Sequence, residues 1–157
     1  MKGKVFKEPK SKASYFDIER DYDSVCINYE TEFYLPNSDE DLMDHMEFHI
    51  ANIPEVLKGL DFVFHAPDGR GEDYNISANG DIISVISHTD PILRMVSIAT
   101  YNNKDIKELL HFNLSGFAFP SNESERIYTP AMLWVTKQLK KIYNDWQKEH
   151  PEYERVK

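Results

Sequence analysis

His45 and His49 stand four residues apart, with Asp41 four residues before His45. On a helix this spacing puts two imidazoles and a carboxylate on one face, where they can approach a single metal ion. The string His45-Met46-Glu47-Phe48-His49 departs from the zinc-protease pattern, because the glutamate does not directly follow the first histidine. His49 also coincides with an apolar stripe, so packing accounts for it, and no metal or cofactor is expected. Cys26, the one cysteine, sits inside an alternating strand pattern and reads as a small hydrophobe rather than a nucleophile. The segment Asp68-Gly69-Arg70-Gly71-Glu72-Asp73 is glycine-rich but lacks the lysine and following helix of a phosphate loop. His88-Thr89-Asp90 is a polar turn at a strand end, of a kind that any meander contains. None of these groupings makes a catalytic constellation, and no catalytic residue is assigned.

The acidic residues are more informative. Asp17, Glu19, Asp21 and Asp23 alternate with Ile18, Arg20 and Tyr22. In an extended chain their carboxylates line one face at intervals of about 6.6 Å, twice the strand rise. A second group, Asp39, Glu40, Asp41, Asp44 and Glu47, is expected on the first turn and outer face of a helix. The net charge of −9 is concentrated there: residues 13–100 sum to −14, against +4 for residues 1–12 and +1 for residues 101–157. Such a field attracts basic surfaces and repels nucleic acid. Edge-strand protection and solubility are the competing explanations for the same charges.

The elements that must position these residues begin with a basic leader, residues 1–12, that is apolar-poor and expected to fray. Residues 25–34 alternate cleanly, with Val25, Ile27, Tyr29, Thr31 and Phe33 on one face, and predict a half-buried strand. Leu42, Met46, His49, Ile50 and Ile53 recur at helical spacing and predict a helix over 39–53, closed by Pro54. A short turn over 54–58, stopped by Gly59, and a strand near 61–65 follow. Ala78-Asn79-Gly80-Asp81 carries the Asn-Gly pair of a type I′ turn, which sets Ile76 opposite Ile83 and Tyr74 opposite Val85. The last strand of the meander, over 92–101, shows apolar residues on both faces, which leaves its register open, and Asn102 or Asn103 is expected to cap a brief helix through Leu110. Thr129-Pro130 opens the best helix, 129–149, whose stripe of Met132, Val135, Leu139, Ile142, Tyr143 and Trp146 faces away from Lys137, Lys140, Lys141 and Lys148.

Together these predict an α+β fold in one domain over residues 13–157. An antiparallel sheet of about five strands, the meander 61–101 plus strand 25–34, carries the C-terminal helix on one face and the shorter acidic helix beside it. The opening residues do not resemble a signal peptide and no apolar run spans a bilayer, so a soluble cytoplasmic protein is expected. The favoured function is a non-enzymatic acidic protein that blocks a basic surface of a protein partner, as inhibitors and immunity proteins do, some of them phage- or mobile-element-encoded. Direct nucleic-acid or membrane binding is not expected, and a homodimer through the helix stripe is an alternative use of that face. The second class is a small-molecule enzyme or binding module. It calls for a cavity between sheet and helix, lined by aromatics and by His65, His88 or His111.

Overall fold

In the computed structural model the described residues are 3–6, 14–31, 42–65, 73–89, 94–102, 105–113 and 130–156. Four strands form a first antiparallel sheet in sequence order: β1 (Lys4–Phe6), β2 (Ser14–Asp21), β3 (Ser24–Thr31) and β4 (Leu42–His49). A 3₁₀ turn, Ile50–Asn52, leads into α1 (Ile53–Phe64). A second antiparallel sheet then follows: β5 (Asp73–Ala78), β6 (Asp81–Thr89), β7 (Arg94–Asn102) and β8 (Asp105–Asn113). Helix α2 (Pro130–Glu149) comes last. The α+β class is as the sequence predicts, but the strands divide into two sheets of four rather than one of about five.

The period-two pattern explains the first sheet. Phe16 and Ile18 of β2, Val25, Ile27 and Tyr29 of β3, and Met46 and Phe48 of β4 are all buried on one face. The β5–β6 hairpin has the predicted register, Ile76 opposite Ile83 and Tyr74 opposite Val85. Its turn residues Asn79 and Gly80 have φ of 53° and 81°, the two positive values a type I′ turn requires. The open register of β7 resolves with Ile98 opposite Val85 and Val96 opposite Ser87, and Ser97 and Ala99 on its other face are buried as well.

Four predicted elements differ. Of the acidic helix expected over 39–53, residues 42–49 are strand, because Met46, Phe48 and Ile50 are buried in alternation with exposed His45 and Glu47. Phe48 lies off the helical stripe, and that residue tips the pattern to period two. Pro54 does not close an element but occupies the first turn of α1, where its missing N–H is harmless. That helix runs through Gly59 and includes residues 61–64, so the predicted strand near 61–65 is its last turn. The brief helix through Leu110 is β8.

The helices divide the sheets between them. Helix α1 covers β5, β6 and β7, while α2 packs against β2, the 3₁₀ turn and α1, and β4 approaches β7 and β8. The C-terminal helix is thus seated against the first sheet, not on the meander as expected. One continuous core joins the inner residues of both sheets to Val56, Leu60 and Val63 of α1 and to Met132, Val135, Leu139, Tyr143 and Trp146 of α2. No described helix is long and apolar enough to cross a membrane.

Candidate functional site

Burying Phe16, Ile18, Val25, Ile27, Met46 and Phe48 sends the intervening side chains of the first sheet to its outer face. The register sets Asp17 opposite Asn28 and Asn28 opposite His45. One step along, Glu19 faces Cys26 and Cys26 faces Glu47. Asp21 faces Ser24 at the hairpin end. The predicted row Asp17, Glu19 and Asp21 therefore exists, and β3 and β4 extend it sideways with Glu47. Glu19 and Asp21 are exposed, whereas Asp17 is half-buried, with Oδ1 screened from solvent and lacking a hydrogen-bond partner.

Asp23 is placed differently. It lies in the two-residue turn between β2 and β3, where its Oδ1 accepts from the Trp146 indole N–H at 3.0 Å. That hydrogen bond holds its carboxyl below the usual aspartate range, with help from His150, His49 and Arg20. Tyr22 beside it has φ of 54° and is 88% exposed. Of the second acidic group, Glu47 is exposed on the outer face, while Asp39, Glu40, Asp41 and the side chain of Asp44 lie outside the described residues.

His45 and His49 are now strand neighbours, about 13 Å apart at the usual rise of about 3.3 Å per residue, and do not share one metal. His49 Nδ1 accepts from the Ala51 N–H at 3.0 Å and so caps the 3₁₀ turn. His45 instead sits beside Asn28, with Nδ1 at 2.8 Å from Asn28 Oδ1. Its Nε2 is 3.8 Å from Glu47 Oε2, and the Cys26 thiol donates to Glu47 Oε1 at 3.6 Å. Burial and the charge of Glu47 push the Cys26 thiol up to about 11, so it is protonated at neutral pH and a poor nucleophile.

Beside this group is an open cleft of about 410 Å³ between β4 and the second sheet, lined by His45, Glu47, His49, Asp81, Thr100 and Tyr101 among others. Asp81 is among its lining residues, and its Oδ2 accepts from the His49 backbone N–H at 2.7 Å and from Asn52 Nδ2 at 2.9 Å. Buried Asn52 also donates to the Ala78 carbonyl and accepts from Asn79, which ties the hairpin turn to the 3₁₀ turn. This cleft is not the expected cavity between sheet and helix. His65 is exposed at the end of α1 beside Asp61, away from the cleft, and the side chains of His88 and His111 are outside those described.

The grouping of Cys26, His45 and Glu47 is the feature that reading along the chain misses. Its signal is a cross-strand offset, visible only once 42–49 is taken as a strand paired with 24–31. No protein-family profile, curated protein or solved structure matches the chain.

Proposed function

We propose that the protein is a non-enzymatic acidic binding protein whose outer first-sheet face docks on a basic surface of another protein. The observation that carries this reading is the register that aligns Asp17, Glu19 and Asp21 in one row and adds Glu47 two strands away. Among the described side chains of β2, β3 and β4 on that face none is Lys or Arg. A field of one sign speeds encounter with a cationic groove and competes with whatever that groove normally binds. The partner class is a nucleic-acid-handling enzyme or toxin, and the mode of action is that of an inhibitor or immunity protein. Exposed Tyr22 at the end of the row is suited to anchor such a contact, since tyrosine is enriched in interface cores.

The test compares the wild-type protein with a Glu19→Lys/Asp21→Lys variant as bait in host lysate, at low and at moderate salt. A basic partner is expected on the wild-type bait, weakened by salt and lost from the variant. Because both side chains are exposed, the variant should keep its stability to within about 0.5 kcal/mol. Retention of the same partners by the variant at both salts would reject the docking face.

The cleft of about 410 Å³ supports a second reading, a small-molecule site, since its volume falls in the range of ligand pockets. The same variant separates the two, because neither Glu19 nor Asp21 lines the cleft.

A further inference from the structure

The geometry points to a binding site for a zinc-type dication on the outer face of the first sheet, with Cys26, His45 and Glu47 as its protein ligands. The donor atoms of these three residues all lie within 4.8 Å of one another. Cys26 Sγ lies 3.6 Å from Glu47 Oε1 and His45 Nε2 lies 3.8 Å from Glu47 Oε2, each close to the spacing of neighbouring ligands on a tetrahedral ion. Bonds of about 2.0–2.3 Å at tetrahedral angles place neighbouring ligand atoms about 3.3–3.8 Å apart. Turning the Glu47 carboxylate, so that one oxygen meets the ion together with Cys26 Sγ and His45 Nε2, is the adjustment the site requires.

The donor set selects the ion. One thiol, one imidazole and one carboxylate suit a borderline-soft ion such as zinc, whereas calcium and magnesium take oxygen cages. His45 is also oriented for the task. With Nδ1 donating to Asn28 Oδ1, Nε2 is the ring nitrogen on the side of Glu47 that a metal would take. A hydrogen bond on the far ring nitrogen is the usual support for a metal-bound histidine.

The electrostatics agree. Glu47, Asp21 and Glu19 all act on the Cys26 sulfur. This negative surround favours a dication beside the sulfur, and binding displaces the thiol proton to solvent. Three protein donors leave a fourth position, and because His45 and Glu47 line the cleft, water can reach it. The site shares Glu47 with the proposed docking face, but it does not require that reading, and its test needs no partner.

The experiment titrates untagged, chelator-stripped full-length protein with cobalt(II), a spectroscopic stand-in for zinc. One equivalent is expected to bind, with visible bands of a four-coordinate ion and a near-ultraviolet sulfur-to-cobalt charge-transfer band. Cys26→Ser should abolish the charge-transfer band, and His45→Ala should lower affinity and disturb the visible bands. Asn28→Ala, which removes only the support of His45, should weaken binding about 10–100-fold while leaving the charge-transfer band in place. His65→Ala, remote from the site, should change nothing. Absence of a charge-transfer band at millimolar cobalt, or its persistence in Cys26→Ser, would overturn the proposal. Should Cys26→Ser lose the native circular-dichroism spectrum, Glu47→Gln and His45→Ala decide in its place, and unchanged cobalt affinity in both would overturn it equally.

Discussion

Trp146 connects the last helix to the first hairpin through a single atom pair, indole nitrogen to Asp23 Oδ1 at 3.0 Å. His150 stacks on the same indole with ring centres 4.1 Å apart, and His49 meets it edge-on at 5.9 Å. The ring is 1% exposed, so truncation removes both packing and the hydrogen bond. Trp146→Ala should cost about 3–5 kcal/mol, read from urea denaturation. Asp23 adds a pH dependence. Its carboxyl titrates lower in the folded protein than in the unfolded chain, chiefly because of the indole bond. The resulting stabilisation is complete above the ordinary aspartate range and disappears as the pH falls through the lowered folded value. Asp23→Asn retains an acceptor oxygen but no charge. It should melt below the wild type at neutral pH, and the two melting temperatures should converge as the solution is acidified below the aspartate range. Trp146 was legible as a core residue from its helical stripe. Its bond to Asp23 was not, because no local pattern relates residues 123 apart.

Among the elements, the hairpin at Asn79-Gly80 was legible to the residue, since a type I′ turn and a two-residue alternation specify the same register. Strand 24–31 and helix 130–149 followed for similar reasons, each having one periodicity and clean boundaries. Residues 42–49 differ from the expected helix because Met46 and Ile50 satisfy both periods over a short window, and only partner strands decide between them. The acidic row was legible, whereas the group of Cys26, His45 and Glu47 inherits the misreading of β4. Gly59 shows the same tension between local preference and packing. As a helix-interior glycine it looks like a stop, yet α1 passes straight through it. A Cβ there would stand 2.7 Å from Tyr74 Cδ1 and 3.0 Å from Val85 Cγ2. Tyr74 cannot swing aside freely, because its hydroxyl donates to Glu55 Oε2 at 2.6 Å and its ring packs on Phe62. Gly59→Ala should therefore destabilise, by about 1 kcal/mol or more, even though alanine favours helix by about that amount. In a Tyr74→Ala background the main obstruction is gone, and the same substitution should become neutral or stabilising in a double-mutant cycle.

At the scale of the whole molecule, two consecutive meanders each pair strands that are neighbours in sequence. Their division into separate sheets was hidden from the sequence, since each strand reads the same whichever sheet it joins. What brings the sheets together is partly polar: Asn52 and Asp81 bridge the 3₁₀ turn and the β5–β6 turn, and β4 lies against β7 and β8. The uneven charge acquires a location in this arrangement. Glu19, Asp21 and Glu47 gather on one outer face, while exposed Lys137, Lys140, Lys141 and Lys148 belong to α2, which packs against the other face of the same sheet.

The position of α2 also sets an order of events during synthesis. Its stripe joins the core with Phe16 and Ile18, and Glu149 holds Arg20 at 2.6 Å, so the final helix covers what was made among the first strands. At about 5–20 residues per second, the ribosome leaves the apolar side of the first hairpin without that cover for several seconds. Over that interval the nascent hairpin presents Phe16, Ile18, Val25 and Ile27 to any chaperone that recognises extended apolar chain, while its other side already carries Glu19 and Asp21. Those like charges repel a neighbouring nascent copy. The acidic row thus discourages aggregation on the polysome while the hairpin still lacks its cover.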